Sequence, residues 1–117
     1  MFDSHAEMVA NLKKPGHEVL RHLNPERVDR WHAVTGVMTE AGELLDAVKK
    51  LVIYNKMLDH ANCIEELGDL EFYMEQVRQA IGVDRETVLR ANMHKLWTRY
   101  GATYSDAAAQ ARADKSA

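Results

Sequence analysis

The sequence has 117 residues, 46% of them apolar, and a formal net charge of −3, which predicts one globular domain with a modest core. Its basic residues are scattered, so it lacks the electrostatic footprint of a nucleic-acid-binding protein. No apolar run approaches the length of about 18 residues that a membrane span needs, and no secretory signal pattern opens the chain. The lone Cys63 cannot form an intrachain disulfide, which favours a reduced, buried thiol and a cytoplasmic location.

The N-terminal part of the chain, residues 1–24, is predicted to be a helical arm. Residues 4–13 form a short amphipathic pattern that Pro15 and Gly16 stop, and the stretch HEVLRHL follows as a second short helical piece. Helical periodicity dominates the rest of the chain, and no alternating strand pattern persists. We therefore expect an all-α protein.

A long helix is predicted from Asn24 to about Tyr54. Asn24 fits the N-cap position, and Pro25 fits the first helical position, where a missing N–H donor does no harm. Gly36 and Gly42 weaken the helix only locally and can allow another helix to approach closely. The apolar residues of this helix recur at three- and four-residue steps: Val28, Trp31, Val34, Met38, Ala41, Leu45 and Val48.

Two further helices are predicted after a short loop. Asp59 is expected to cap a helix over residues 60–80, which Gly82 closes. Asp84 is expected to act as a plain cap for the next helix, which ends at Gly101.

The C-terminal tail, residues 102–117, is alanine-rich and able to form a helix, but it is too polar to contribute to a core. No repeat or linker divides the chain, so residues 1–117 are interpreted as a single domain. The sum is an all-α chain with two long central helices and a third, shorter one.

Two acidic pairs lie within the two central helices. Glu40 and Glu43 are three residues apart, as are Glu66 and Asp69, so each pair shares one face of its helix. Apolar residues flank both pairs, which favours burial of these faces: Val37, Ala41, Leu44 and Leu45 in the first helix, and Ile64, Leu67, Leu70 and Phe72 in the second. If the helices pack antiparallel, the pairs can come face to face.

Clustered carboxylates repel one another unless some are protonated or a cation lies among them. All-oxygen ligands select a hard cation, Mg²⁺ or Mn²⁺, which commonly completes its shell with substrate phosphates and water. A solvated helix face is the alternative explanation. A di-iron site is disfavoured, because it requires Glu-x-x-His on two helices and only Asp29-x-x-His32 comes near.

The motifs EAGE and EELGD together resemble the E-x-x-E … E-x-x-D signature of the MazG-like all-α nucleoside triphosphate pyrophosphohydrolases. The stretches GELLDAVKKLVIYNK, EELGDLEFY and ANMHKLWTRY are also similar to single-domain members, so the resemblance extends over nearly the whole chain. It implies a MazG-like four-helix-type bundle completed by oligomerisation, as a homodimer or a homotetramer.

The resemblance also implies an activity and a set of ligands. Members cleave nucleoside triphosphates between the α and β phosphates, with roles in house-cleaning of the nucleotide pool. By this resemblance Glu40, Glu43, Glu66 and Asp69 are Mg²⁺ ligands, and one or more of them orients the attacking water. Glu65 points about 100° away from Glu66 and is interpreted as an accessory or surface acid.

The fourth predicted helix carries candidate phosphate contacts. Asn92, Lys95 and Arg99 recur at three- and four-residue steps, so they share one helix face, and they match an N-x-x-K-L-x-x-R pattern of the family. A solvated basic face is the alternative. Lys49 and Lys50 follow the first acidic pair and can reach a phosphate or form a surface bridge with Asp46.

Three aromatic side chains are candidates for a nucleobase pocket. Trp31 and His32 lie about two turns before Glu40, and Tyr73 lies one turn after Asp69. Stacking on an aromatic ring contributes about 1–3 kcal/mol per base. For Trp31 an ordinary core position is the alternative.

Two alternative functions remain open at this stage. One is hydrolysis of an alarmone of the guanosine tetraphosphate type, which presents a phosphate chain to the same kind of metal site. The other is a non-catalytic helical module that binds a nucleotide or a protein.

Overall fold

The computed structural model describes residues 1–115, and every regular element within that range is helical, which confirms the predicted all-α class. Residues 116 and 117 of the predicted tail lie outside the described residues. No helix in residues 1–115 is both long enough and apolar enough to cross a membrane. In chain order the elements are α1 (His5–Leu12), α2 (Gly16–Arg21), α3 (Pro25–Ile53), α4 (His60–Ile81), α5 (Arg85–Tyr100) and α6 (Asp106–Ala111), followed by a 3₁₀ turn over Ala113–Lys115.

The predicted start of α3 is confirmed by its cap. The Asn24 side-chain oxygen accepts a hydrogen bond from the Arg27 backbone N–H at 2.9 Å. Pro25 follows in the first turn, where its missing N–H leaves no broken bond. The helix ends at Ile53, with Tyr54 at the C-cap, close to the predicted boundary.

α4 and α5 begin on the predicted aspartate caps. Asp59 accepts from the Asn62 backbone N–H at 3.0 Å, and Asp84 accepts from the Thr87 backbone N–H at 2.7 Å. Between these helices Gly82 adopts a left-handed conformation with φ of 73°, which an L side chain rarely adopts. The chain therefore reverses direction where the sequence predicts it.

α3 and α4 form an antiparallel hairpin. Arg30, near the start of α3, donates from Nε to the carbonyl of Ala80 near the end of α4, at 3.2 Å. Gly36, further along α3, lies against Tyr73, earlier in α4. Later positions in α3 thus meet earlier positions in α4, which is the arrangement in which residues of the two acidic pairs can meet.

Small residues on α3 allow α4 to come close. The buried residues of α3 are Ala33, Gly36 and Ala47. The Tyr73 ring occupies the space that a Cβ on Gly36 would need, whereas nothing lies within 4 Å of a Cβ on Gly42. The predicted close approach is therefore confirmed at Gly36 and is not found at Gly42.

A single chain does not close into a compact bundle. Its radius of gyration is 20.2 Å, whereas a compact chain of this length has about 13 Å. α5 packs mainly against α6 and the 3₁₀ turn, and much of the α3–α4 surface stays uncovered. Leu45 and Phe72 are 69% and 66% exposed, so the expectation that they are buried is wrong within one chain. Completion of the bundle by further copies stays a prediction.

The contact between Gly36 and Tyr73 gives a stability prediction. Gly36→Ala should destabilise the protein by about 1–3 kcal/mol, because the new methyl group displaces the Tyr73 ring in a packed contact. Gly42→Ala is the matched control in the same helix and should stabilise by up to about 1 kcal/mol, since its methyl group meets no neighbour. Urea unfolding of the metal-free variants measures both changes. Changes in the free energy of unfolding that have the same sign and size in both variants would contradict the predicted role of this contact.

Candidate active site

Three of the four predicted acidic residues converge in the α3–α4 hairpin. Carboxylate oxygens of Glu40, Glu66 and Asp69 all lie within 4.8 Å of one another. Glu40 comes from α3, and the other two occupy positions three apart on the facing surface of α4. Glu40 and Glu66 are half-buried, whereas Asp69 is exposed, so the cluster opens to solvent on one side.

Glu43 lies outside this group in the described structure. Its side chain is exposed one turn after Glu40 on α3. It remains close enough for its charge to contribute to the raised pKa of Glu66. The acidic cluster therefore consists of three mutually close carboxylates, with Glu43 beside it.

Burial raises the pKa of the Glu66 carboxyl above its usual value of 4.5. A hydrogen bond with the Glu40 carboxyl and the negative charge of Glu40 raise the pKa further. The charges of Glu43 and Asp69 act in the same direction. The metal-free cluster thus holds more negative charge than its surroundings stabilise, which is the electrostatic condition that a bound cation relieves.

The donor set fits a hard divalent cation. All three groups offer carboxylate oxygens, which suit Mg²⁺ or Mn²⁺ better than softer metals. Mg²⁺ binds oxygen at about 2.0–2.1 Å, so two ligands on opposite sides of one ion are about 4.2 Å apart. The carboxylate oxygens of the cluster lie within 4.8 Å of one another, so a small side-chain rotation would bring them to the spacing of ligands on one ion.

Two of the three candidate base-pocket residues lie together beside the helix contact. The rings of His32 and Tyr73 are 6.2 Å apart between centroids and meet edge to face. The Phe72 ring also lies near Tyr73, at 5.2 Å between centroids and nearly perpendicular to it. Because Tyr73 also packs on Gly36, its ring position is set by the approach of the two helices.

Trp31 occupies a different environment. Its side chain is 68% exposed, so it is not a core tryptophan within one chain. The helix rotates by about 100° per residue, which directs Trp31 away from its neighbour His32. Among residues 1–115, Trp31 forms no aromatic ring pair with His32 or Tyr73.

The three candidate phosphate contacts on α5 differ in their surroundings. Asn92 and Lys95 are exposed. Arg99 donates from Nε and from a terminal nitrogen to the two carboxylate oxygens of Asp114, at 2.7 and 3.1 Å. The side chains of Arg99 and Asp114 are only 15% and 6% exposed. The hydrogen bond from Arg99 lowers the pKa of Asp114 below its usual value.

Asp114 is a residue that the sequence reasoning missed. It lies in the tail that was expected to be too polar to contribute to packing, yet its carboxylate is nearly buried against α5. A lone aspartate fifteen positions after its arginine follows no helical spacing, so no local signal identifies the pair.

Among the lysines of α3, Lys50 forms the surface bridge to Asp46 at 3.1 Å, and Lys49 lies 5.9 Å from the Tyr54 ring.

Comparison with known proteins places these residues in a family. The family model described as "MazG nucleotide pyrophosphohydrolase domain" matches residues 32–103, which include the acidic cluster, Tyr73 and the α5 face. Asp114 lies outside the matched range. Neither the curated proteins nor the solved structures contain a match to the chain.

The charge balance of the cluster predicts a dependence of stability on Mg²⁺. Because the folded-state pKa of Glu66 is raised, its contribution to stability is fully present below 4.5 and is lost as the pH rises through the raised value. At neutral pH, Mg²⁺ should therefore raise the melting temperature, and this increase should shrink as acidification protonates the cluster. Melting curves at several pH values with and without Mg²⁺ measure the effect.

A variant pair separates this effect from nonspecific ion binding. Glu66→Gln should raise the melting temperature of the metal-free protein and abolish the Mg²⁺-induced increase, because it removes the crowded charge. Glu65→Gln removes the same charge from an exposed neighbouring position and should leave the Mg²⁺ response intact. Equal Mg²⁺ responses in the two variants would refute the cluster as a cation site.

Proposed function

Since the chain belongs to the family of MazG nucleotide pyrophosphohydrolase domains, we propose that it is a Mg²⁺-dependent hydrolase of nucleoside triphosphates. The reaction adds one water across the anhydride bond between the α and β phosphates, and its products are a nucleoside monophosphate and pyrophosphate. The observation that carries the proposal is the convergence of Glu40, Glu66 and Asp69 from two helices within 4.8 Å. A role in control of the nucleotide pool follows from this chemistry.

The acidic cluster is the proposed reaction centre. Glu40, Glu66 and Asp69 would hold the cation, and Glu43 would join them by a rotation of its exposed side chain. A bound Mg²⁺ neutralises phosphate charge and lowers the pKa of a coordinated water. The open side of the cluster, at Asp69, leaves room for the phosphate chain and the attacking water.

The α5 face is the proposed phosphate-binding surface. Asn92 offers an amide donor and Lys95 a mobile ammonium group, and both are exposed. Arg99 offers a planar fork of donors that suits phosphate oxygens, although Asp114 occupies that fork in this structure. A phosphate that binds through Nε and this terminal nitrogen of Arg99 would therefore require the pair with Asp114 to open.

The base-binding surface is proposed to include His32, Tyr73 and Trp31. His32 and Tyr73 already form an edge-to-face pair, and Tyr73 lies one turn after Asp69 on α4. Trp31 is exposed and available for stacking. Contacts of this kind discriminate among bases through shape and hydrogen bonds, whereas the metal site recognises the shared phosphate chain.

The active form is proposed to be a homodimer or a homotetramer. The support is the open shape of one chain, with a radius of gyration of 20.2 Å, together with its exposed apolar side chains. Exposed apolar surface on this scale is typical of an interface.

Activity assays test the reaction directly. Purified protein with Mg²⁺ and a panel of ribo- and deoxyribonucleoside triphosphates should release pyrophosphate and the monophosphate. Glu66→Gln and Asp69→Asn should each lower kcat by at least about 100-fold, because each removes a proposed metal ligand. Asp46→Asn, which removes an exposed acid paired with Lys50 on α3, is the matched control and should keep full activity.

The product analysis also distinguishes the alternatives. Release of inorganic phosphate alone, or turnover that survives in both cluster variants, would refute the proposed reaction centre. Absence of turnover with every triphosphate, combined with Mg²⁺-dependent binding, would favour the non-catalytic module, and turnover of guanosine tetraphosphate alone would favour the alarmone hydrolase.

The base pocket has its own prediction. His32→Ala should raise the KM for nucleoside triphosphates by about 5–150-fold, as loss of one base contact of about 1–3 kcal/mol implies. The same variant should bind inorganic tripolyphosphate as well as the wild type does, because that probe lacks a base. His94→Ala, on α5, is the control. An equal loss of affinity for both ligands would place His32 in phosphate binding or in folding instead.

A further inference from the structure

The Arg99–Asp114 pair joins the end of α5 to the C-terminal segment, defined here as residues 105–115. Two hydrogen bonds connect the guanidinium with the carboxylate, and the side chains are 15% and 6% exposed. Arg99 lies on the same helix face as Asn92 and Lys95, four residues after the lysine. The tail thus places a carboxylate on the basic face that the proposed function assigns to phosphates.

A carboxylate and a phosphate are competing partners for one guanidinium. Both accept two parallel hydrogen bonds from the arginine fork. In the observed arrangement Asp114 uses Nε and a terminal nitrogen of Arg99. A phosphate cannot take the same two donors until Asp114 has left.

Besides this pair, the C-terminal segment is held on α5 by the packing of α6 and the 3₁₀ turn. α6 has six residues, and alanines form most of it, so it brings little apolar surface to α5. Ala108 and Ala109 are only half-buried. Ser105 caps α6 through the Ala108 backbone N–H at 3.1 Å, which stabilises the short helix itself and not its contact with α5. Segments with few buried apolar contacts open locally at low free-energy cost.

We propose that the C-terminal segment is an autoinhibitory latch, in which Asp114 occupies the Arg99 guanidinium that a substrate phosphate would engage. A triphosphate with its several negative charges displaces the single carboxylate, and the segment then leaves α5. The inference rests on the proposed function, and it assigns to the tail the regulation of phosphate affinity at that site. It predicts that the latch lowers affinity for any polyphosphate, whatever base is attached.

The test measures binding of inorganic tripolyphosphate with Mg²⁺ by calorimetry, in parallel with KM and kcat for a nucleoside triphosphate. Asp114→Asn weakens the pair and should tighten tripolyphosphate binding by about 5-fold or more, lowering KM and leaving kcat unchanged. Asp106→Asn is the matched control, because it removes the same charge from the same segment at an exposed position bonded to Tyr104. It should change neither quantity.

A double-mutant cycle identifies Arg99 as the shared partner. Arg99→Gln should weaken tripolyphosphate binding, and adding Asp114→Asn to it should have no further effect. Hydrogen exchange of the wild type gives a readout without substitutions, since tripolyphosphate should speed exchange of the α6 amides. Unchanged exchange, or weaker binding in Asp114→Asn, would overturn the latch and leave the pair as a structural anchor.

The outcomes separate the latch from the proposed function. If no nucleotide is hydrolysed but Asp114→Asn still tightens tripolyphosphate binding, the reaction is wrong and the latch stands. If hydrolysis proceeds with the same KM in wild type and Asp114→Asn, the reaction stands and the latch is wrong. A wild type and an Asp114→Asn variant that both fail to bind tripolyphosphate also refute the latch.

Discussion

Electrostatic repulsion within the α3–α4 hairpin is the constraint on which the site depends. The antiparallel packing brings Glu40 against Glu66 and Asp69, and burial together with the neighbouring carboxylates raises the pKa of Glu66. A purely structural hairpin gains nothing from this arrangement, because apolar residues at the same positions would pack without a charge penalty. On this account the cluster destabilises the metal-free fold, and a bound cation would offset that cost, so the proposed cation binding and folding would be linked.

The register of the two helices makes that crowding possible. Gly36 lacks a Cβ where the Tyr73 ring passes, so the helices approach closely one turn away from Glu40. The same contact orients Tyr73 toward His32, so the helix approach also organises the proposed base-binding surface. One small residue thus positions both parts of the site, the carboxylates that would hold the cation and the aromatic ring beside them.

Local features of the fold could be predicted from the sequence, whereas long-range contacts could not. The caps at Asn24, Asp59 and Asp84 depend on residues only three positions away, and they appear as expected. The convergence of Glu40 with Glu66 and Asp69 could also be predicted, because helical spacing defines which residues share a face, whereas Glu43 lies outside the cluster that it is predicted to join. The exposure of Leu45 could not be predicted, because burial depends on surfaces that one chain does not supply. The pairing of Arg99 with Asp114 could not be predicted either, because a tail with several turns can fold back in many ways.

The most direct measurement of the central claim is anomalous diffraction from crystals of the protein soaked in Mn²⁺, which scatters anomalously and takes the same oxygen ligands as Mg²⁺. The account predicts an anomalous peak about 2.2 Å from carboxylate oxygens of Glu40, Glu66 and Asp69, with ligands from both helices on one ion. A peak held by one helix alone, or crystals in which this cluster binds no Mn²⁺ while the ion is found elsewhere, would contradict it.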